Sequence, residues 1–290
     1  MSVVGLFGPT ASGKTAVAEA LAHRMPAEIV SADSMQAYCG LPLLTNQGAG
    51  RLVGIWPSDR QRTLGEYQGL AHAAIDEALA AGRTPIVVGG SGLYFRAALA
   101  DLKLPPHVPE GKRARWERLY DRFGGQAAHT LLRERDRSAA EQVHPNDRKR
   151  VIRALELWSA GASLVPATSR LWTMTTRHPT AVVGLDVPRE LLDQRIVERT
   201  RAMFERGVER EVRDAGEIVP QVLGLQAIRT LPRDEAEAEI VRMTRRLAAY
   251  QRKWMRRIPG VVMVDAGQPV EKVADAILEM ARTRQQLPAG

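Results

Sequence analysis

Five short apolar runs punctuate the chain, at residues 3–7, 28–32, 85–88, 181–187 and 261–264. Each is rich in Val or Ile, the pattern of strands buried on both faces of a parallel sheet. Between them lie stretches of helical periodicity, such as 71–81 and 189–212. Strand and helix in alternation predict an α/β fold, a parallel sheet flanked by helices. Ligands of such sheets sit beyond the carboxyl ends of the strands. That rule brings residues 8–15, 33–36 and 89–92 to one rim.

The rhythm breaks between about Leu104 and His178. This stretch opens with Pro105, Pro106 and Pro109, then reads as helices over 112–123, 125–135 and 147–159, with no convincing strand. The spacing predicts a sheet domain over 1–104 and 179–290, interrupted by a helical insertion over 105–178. Pro220 and Pro232 bracket a short connecting element. A final helix over 270–284 closes the chain, and the tail after Gln286 is expected to fray.

The first rim segment carries the strongest chemical signal. Gly8, Pro9, Thr10, Ala11, Ser12, Gly13, Lys14 and Thr15 follow the first strand and open into a helix. The spacing G-x-x-x-x-G-K-[ST] is that of a P-loop. Backbone N–H groups of the turn and of the helix N-terminus wrap a phosphate chain. Lys14 neutralises phosphate charge, and the Thr15 hydroxyl is the expected Mg²⁺ ligand. A bound di- or triphosphate follows, but not what is done with it.

Asp33 comes directly after the second apolar run. A carboxylate there can hold Mg²⁺ indirectly or accept a proton from a nucleophile; it can also cap a helix or close a turn. Gln36 carries an amide able to pair with an adenine edge. Gly89, Gly90 and Gly92 allow close approach of backbone to a ligand, and Ser91 can donate to a phosphate; a flexible turn reads the same way. Arg195 and Arg199, spaced i, i+4, share one helix face and reach either the rim or solvent.

The 290 residues are 44% hydrophobic and 26% charged, as expected of a soluble globular protein with a sizeable core. No apolar run approaches the roughly 20 residues of a membrane span, and the start shows no charged-then-apolar leader. The single cysteine, Cys39, excludes an internal disulfide, and with the six His it shows no zinc spacing. These features predict a cytoplasmic protein without a membrane partner. Nothing demands an oligomer, so a monomer is expected.

The net charge of +8 is unevenly placed. Residues 105–178 hold 14 Lys and Arg against 8 Asp and Glu, and residues 240–264 hold seven basic residues and no acidic one. Clusters of this kind suit a polyanion, or simply a solvated Arg-rich surface. At 148–150 three basic residues follow Asn146 and Asp147 in a first helical turn, where the dipole disfavours them, which also suggests an anionic partner.

Taken together, these segments resemble the tRNA dimethylallyltransferase (tRNA isopentenyltransferase) family. The resemblance runs over nearly the whole chain: GPTASGKT at 8–15, DSMQAY at 33–38, GGSGLY at 89–94, HPNDRKRVIRALE at 144–156, an RI-x-x-R helix at 195–199 and TRRLAAYQRKW at 244–254. It implies a P-loop core with a helical insertion that grips the tRNA anticodon stem. It also implies transfer of a dimethylallyl group from dimethylallyl diphosphate to the exocyclic amine of the adenosine immediately 3′ of the anticodon.

By the same resemblance, Asp33 is the general base. Lys14, Arg199 and a Mg²⁺ on Thr15 stabilise the departing diphosphate, which Thr10 also contacts. Asp33, Ser34, Met35 and Gln36 read the target base, and further tRNA contacts fall on Arg113, Lys149, Arg150, Arg153, Arg245 and Arg252. The chain departs from the family's usual pattern at Thr45-Asn46-Gln47, at Leu225 and at Tyr250. Three other functions share the P-loop: an isopentenyltransferase acting on AMP, ADP or ATP, a small-molecule kinase, and a non-catalytic RNA-binding protein.

Overall fold

The computed structural model describes residues 2–106, 108, 111–165, 171–218 and 221–286. Pro109, Pro220 and the tail after Gln286 lie outside the described residues. Five parallel strands form one sheet: β1 (Val3–Phe7), β2 (Ala27–Ser31), β3 (Thr84–Gly89), β4 (Thr180–Asp186) and β5 (Val262–Asp265). Their order is β2-β3-β1-β4-β5. Each strand lies within one residue of the expected run, because each is a Val- or Ile-rich segment bounded by turn residues.

Strand β1 is central. Phe7 pairs with Gly89 on one side and Gly184 on the other. The loop after β1 therefore leaves from the middle of the rim.

The helices of the α/β unit are α1 (Lys14–Ala22), α2 (Pro42–Thr45), α3 (Leu64–Ala80) and α4 (Gly92–Leu99). The helical unit holds α5 (Lys112–Arg135), α6 (Arg137–Gln142) and α7 (Arg148–Trp158). The chain continues through α8 (Arg189–Glu205), α9 (Val208–Asp214), α10 (Leu225–Thr230), α11 (Arg233–Met255) and α12 (Val270–Gln286). One core joins Leu6, Leu21, Ile86, Val183, Ile196 and Ala274. A second forms where Leu44, Phe204, Val208 and Ile240 meet.

Two glycines set breaks within the helices. The periodic stretch 189–212 divides into α8 and α9, because Gly207 adopts φ 89°, a conformation open to Gly at little cost. The apolar pattern continues across it, which hides the break from a periodicity reading. Within α5, Gly124 (φ 81°, ψ 167°) kinks the chain between the two helices expected at 112–123 and 125–135.

The chain divides into two compact units, Met1–Asp101 with Leu171–Gly290, and Leu102–Arg170. The stretch 171–178, which the sequence pattern groups with the insertion, packs on the α/β unit. Arg96, 1% exposed, donates to the carbonyls of Leu171 and Thr173 at 3.0 Å. Arg177 grips Asp76 through two bonds of 3.2 and 2.9 Å. A buried guanidinium needs several acceptors, and backbone carbonyls of the returning chain supply them. The helical unit has its own core of Trp116, Leu132, Ile152 and Leu155 and no strand among its described residues.

Candidate active site

The loop between β1 and α1 is shaped for an anion. A Cβ on Gly8 would lie 2.6 Å from Ser12 Oγ, so a side chain there would displace that hydroxyl from its place in the loop. Gly13 adopts φ 87° and Ala11 φ 62°; the second is a strained conformation for a residue with a side chain. Helix α1 starts at Lys14 with no side-chain cap and no acid in its first turn. Its first N–H groups and the positive end of its dipole are therefore open to a ligand. Ser12 Oγ is buried and has no hydrogen-bond partner among the described residues. An unpaired buried hydroxyl costs about 1–3 kcal/mol, which a phosphate oxygen would offset.

The Lys14 ammonium donates to the Pro9 carbonyl at 2.7 Å. Burial pulls its pKa down to about 8, Asp33 opposes that shift, and Arg199 adds to it. Arg199 reaches the loop from α8: its Nη1 donates to the Thr10 hydroxyl at 2.8 Å. Burial lowers the Arg199 pKa also, again opposed by Asp33. With a lone pair of the Thr10 oxygen engaged by Arg199, the hydroxyl proton stays available to a substrate.

Asp33 stands two residues beyond β2, and its two oxygens divide their work. Oδ1 accepts from the backbone N–H of Met35 at 2.9 Å and of Gln36 at 3.4 Å, the turn-closing role that the sequence allowed. Oδ2 has no hydrogen-bond partner among the described residues, so the carboxylate is oriented and keeps a free lone pair. Ser34 and Met35 are half-buried on the same turn.

The Gln36 amide is used inside the protein. Its oxygen accepts from Ser31 Oγ at 2.9 Å, and its NH₂ donates to the Asn46 carbonyl at 2.7 Å. It organises the turn instead of standing open to pair with a base edge. Asn46 and Gln47 complete this arrangement: Gln47 Nε2 donates to the carbonyls of Tyr38 and Gln36 at 2.6 and 3.2 Å.

The glycines at 89–92 serve packing of protein on protein. A Cβ on Gly89 would meet the Ala32 carbonyl oxygen at 2.3 Å, on Gly90 Gln251 Nε2 at 2.5 Å, and on Gly92 Trp254 Cε3 at 2.0 Å. Ser91 precedes α4, makes no side-chain cap and is half-buried. Arg195 turns to the Ala266 carbonyl, 3.4 Å away.

Gln251 escaped the sequence reading. Its Oε1 accepts from the Thr10 N–H at 2.7 Å, across 241 residues of chain. The available signal was a polar residue inside the buried stripe of α11.

Arg245 and Arg252 have counter-ions that the local sequence does not reveal. Arg245 makes a two-bond pair with Asp193 of α8, and Arg252 Nη2 bonds Asp186 Oδ1 at 2.8 Å. They line a groove of about 740 Å³ between α8 and α11, with Arg189, Lys253 and Arg256 beside them. Lys253, Arg256 and the nearby Arg246 make no ion pair among the described residues, so the groove stays basic.

The other candidate residues belong to the helical unit. Arg113 pairs with Glu117 at 2.9 Å, and Arg153 with Glu156 at 2.9 Å. Lys149 and Arg150 sit in the first turn of α7, which Asp147 caps by accepting from Arg150 N at 3.1 Å. Arg148, in the same turn, is held by Asp121, an internal reason for a basic residue there. Leu225 is buried in the second core. Tyr250 is 58% exposed, with its ring 6.5 Å from that of Trp254.

A central P-loop, an oriented carboxylate and a half-buried arginine on the loop's own threonine define a phosphate-binding α/β protein of the P-loop class. The IPP transferase family profile matches residues 45–258, and the isopentenyl transferase profile matches 1–53. The chain belongs to the IPP transferase family. A protein of Salinispora tropica named tRNA dimethylallyltransferase is 38% identical over 91% of this chain and 88% of its own length. One of the same name from Kineococcus radiotolerans is 37% identical over 96% of each. Among solved structures, the full-length tRNA isopentenylpyrophosphate transferase of Bacillus halodurans superposes with a TM-score of 0.70 at 29% identity, covering 98% and 97% of the two chains. A eukaryotic dimethylallyltransferase acting on tRNA shares the fold with a TM-score of 0.79 at 23% identity, over 99% of this chain and 80% of its own.

Proposed function

We propose that this chain is a tRNA dimethylallyltransferase. It transfers the dimethylallyl group of dimethylallyl diphosphate to the exocyclic amine of the adenosine immediately 3′ of the anticodon. The C–N bond forms as the C–O bond to diphosphate breaks, the amine proton passes to Asp33 Oδ2, and diphosphate leaves. The single observation that carries this reading is the free Oδ2 of Asp33, on a carboxylate whose charge is felt by both Lys14 and Arg199. A kinase or ATPase also cradles phosphates. A base opposite a leaving-group cradle is what alkylation of a weakly nucleophilic amine requires.

Each residue has a role that its surroundings support. The loop N–H groups, Ser12 and Lys14 bind the diphosphate, with Ser91 as a further donor. Thr10 and Arg199 donate to the departing oxygens, where charge grows as the bond breaks. Thr15 would offer Mg²⁺ one hard oxygen at the mouth of the loop, and diphosphate oxygens and water would suit the remaining positions. When bound, Mg²⁺ supplies further neutralisation of the diphosphate.

The acceptor base must leave its stack to reach the carboxylate, and the turn at Asp33, Ser34 and Met35 is where it would be read. Gln36 supports that turn. The groove between α8 and α11 and the basic helices that carry Arg113, Lys149, Arg150 and Arg153 would contact the phosphates of the anticodon stem-loop. No helix among the described residues is long and apolar enough to cross a membrane, and we place the protein in the cytoplasm as a monomer. Incubation with labelled dimethylallyl diphosphate and either tRNA or AMP tests the reading. Label in tRNA adenosine supports it; label in AMP and none in tRNA contradicts it.

A further inference from the structure

Helix α11 has a buried stripe of Thr244, Ala248, Gln251 and Met255. Their spacings of four, three and four residues put them on one face. In such a stripe a long primary amide is out of character, since burying one without partners is costly. Gln251 is 5% exposed, and its amide is wedged between two rim segments. Oε1 accepts from the Thr10 N–H at 2.7 Å, and Nε2 lies against Gly90, where a Cβ would be only 2.5 Å away.

Thr10 is thereby held at two points. Gln251 fixes its backbone, and Arg199 fixes its hydroxyl at 2.8 Å. Because the amide occupies the Thr10 N–H, that group is not a phosphate donor; Thr10 faces a ligand through its hydroxyl. A residue fixed at both ends has a set orientation before any ligand arrives, which removes an ordering cost from binding and from the reaction.

We propose that Gln251 is a positioning residue for the leaving-group site, one that aims the Thr10 hydroxyl and, with it, Arg199 at the diphosphate. This rests on the reading that the loop holds the leaving diphosphate. Gln251 itself touches no reacting atom.

The test uses Gln251→Met, which keeps the length and loses the acceptor. Four quantities are read: the affinity for inorganic diphosphate with Mg²⁺ by calorimetry, the KM and the kcat with dimethylallyl diphosphate and tRNA, and the melting temperature. The expected result is about tenfold weaker diphosphate binding and a comparable rise in KM, the scale of one buried hydrogen bond. Within an Arg199→Ala background, Gln251→Met should weaken diphosphate binding and raise KM far less than it does alone, because the two residues act through the same threonine.

A purely structural role would lower the melting temperature and the active fraction, leave the diphosphate affinity and KM of the remaining molecules unchanged, and add independently to Arg199→Ala. That pattern overturns the proposal. Diphosphate binding needs no prenyl transfer, so it tests Gln251 on its own. Absence of transfer to tRNA by the unaltered protein would overturn the functional reading instead.

Discussion

Arg199 and Thr10, 189 residues apart in the chain, are joined by a 2.8 Å hydrogen bond from guanidinium to hydroxyl. The bond ties α8 to the P-loop and places a half-buried positive charge beside a hydroxyl that keeps its own proton. Both groups then act where the leaving oxygens gather charge. Arg199→Ala should lower single-turnover kcat by about 10²–10³, the usual cost of removing one preorganised donor. Thr10→Val should cost less, and the double variant should cost less than the product of the two. A normal single-turnover rate in Arg199→Ala would contradict this role.

Asp33→Ala should reduce turnover by about 10²–10⁴, the range for a general base, with tRNA affinity nearly unchanged. The variant also removes Oδ1 from the turn, so Asp33→Asn is the better comparison: it keeps an acceptor for Met35 N–H and loses the base. Should the main loss appear in tRNA binding, Asp33 positions the base and does not take its proton.

Lys14 sets a pH dependence whose sign is fixed. Its pKa in the folded protein is about 8, below the ordinary value of 10.5. Between these values the unfolded chain holds the extra proton, so without ligand the stability contribution of Lys14 rises from pH 8 to 10.5. Denaturation of the unaltered protein minus that of Lys14→Met should show this rise. Diphosphate needs the charged form, so its affinity should fall as pH climbs above about 8, and the fall should flatten in Lys14→Arg, which stays charged.

Binding of tRNA should weaken steeply with salt. Arg246, Lys253 and Arg256 make no ion pair among the described residues, and removing each should reduce the slope of log affinity against log salt by about one. Arg245 and Arg252 are bound to Asp193 and Asp186, and their removal should change that slope less. A flat salt profile in the unaltered protein would contradict a phosphate-contacting groove.

Gly92 gives a structural prediction. A Cβ there would lie 2.0 Å from Trp254, so Gly92→Ala should destabilise by about 1–3 kcal/mol or more through overpacking, read as a drop in melting temperature.

The sheet and the P-loop were legible in the sequence because both are local. Val-rich runs and a Gly-rich spacing carry their meaning within a few residues. The insertion showed as lost strand rhythm, but its return edge did not, because the segment 171–178 is held by Arg96 and Asp76 from far away in the chain. Asp33 could be read either as a turn residue or as a base, and the structure gives one oxygen to the turn and leaves the other open. The long-range partners were illegible for one physical reason: Gln251 to Thr10, Arg245 to Asp193 and Arg252 to Asp186 are contacts that only folding creates. The family motifs supplied the position of Arg199, while spacing alone left it even with Arg195.

The most direct measurement is mass analysis of tRNA nucleosides from cells that lack this chain, with the unaltered protein or Asp33→Asn supplied in its place. On the proposed function, dimethylallyladenosine disappears from tRNA, returns with the unaltered protein and stays absent with Asp33→Asn. Dimethylallyladenosine persisting at full level in cells without the protein would contradict it.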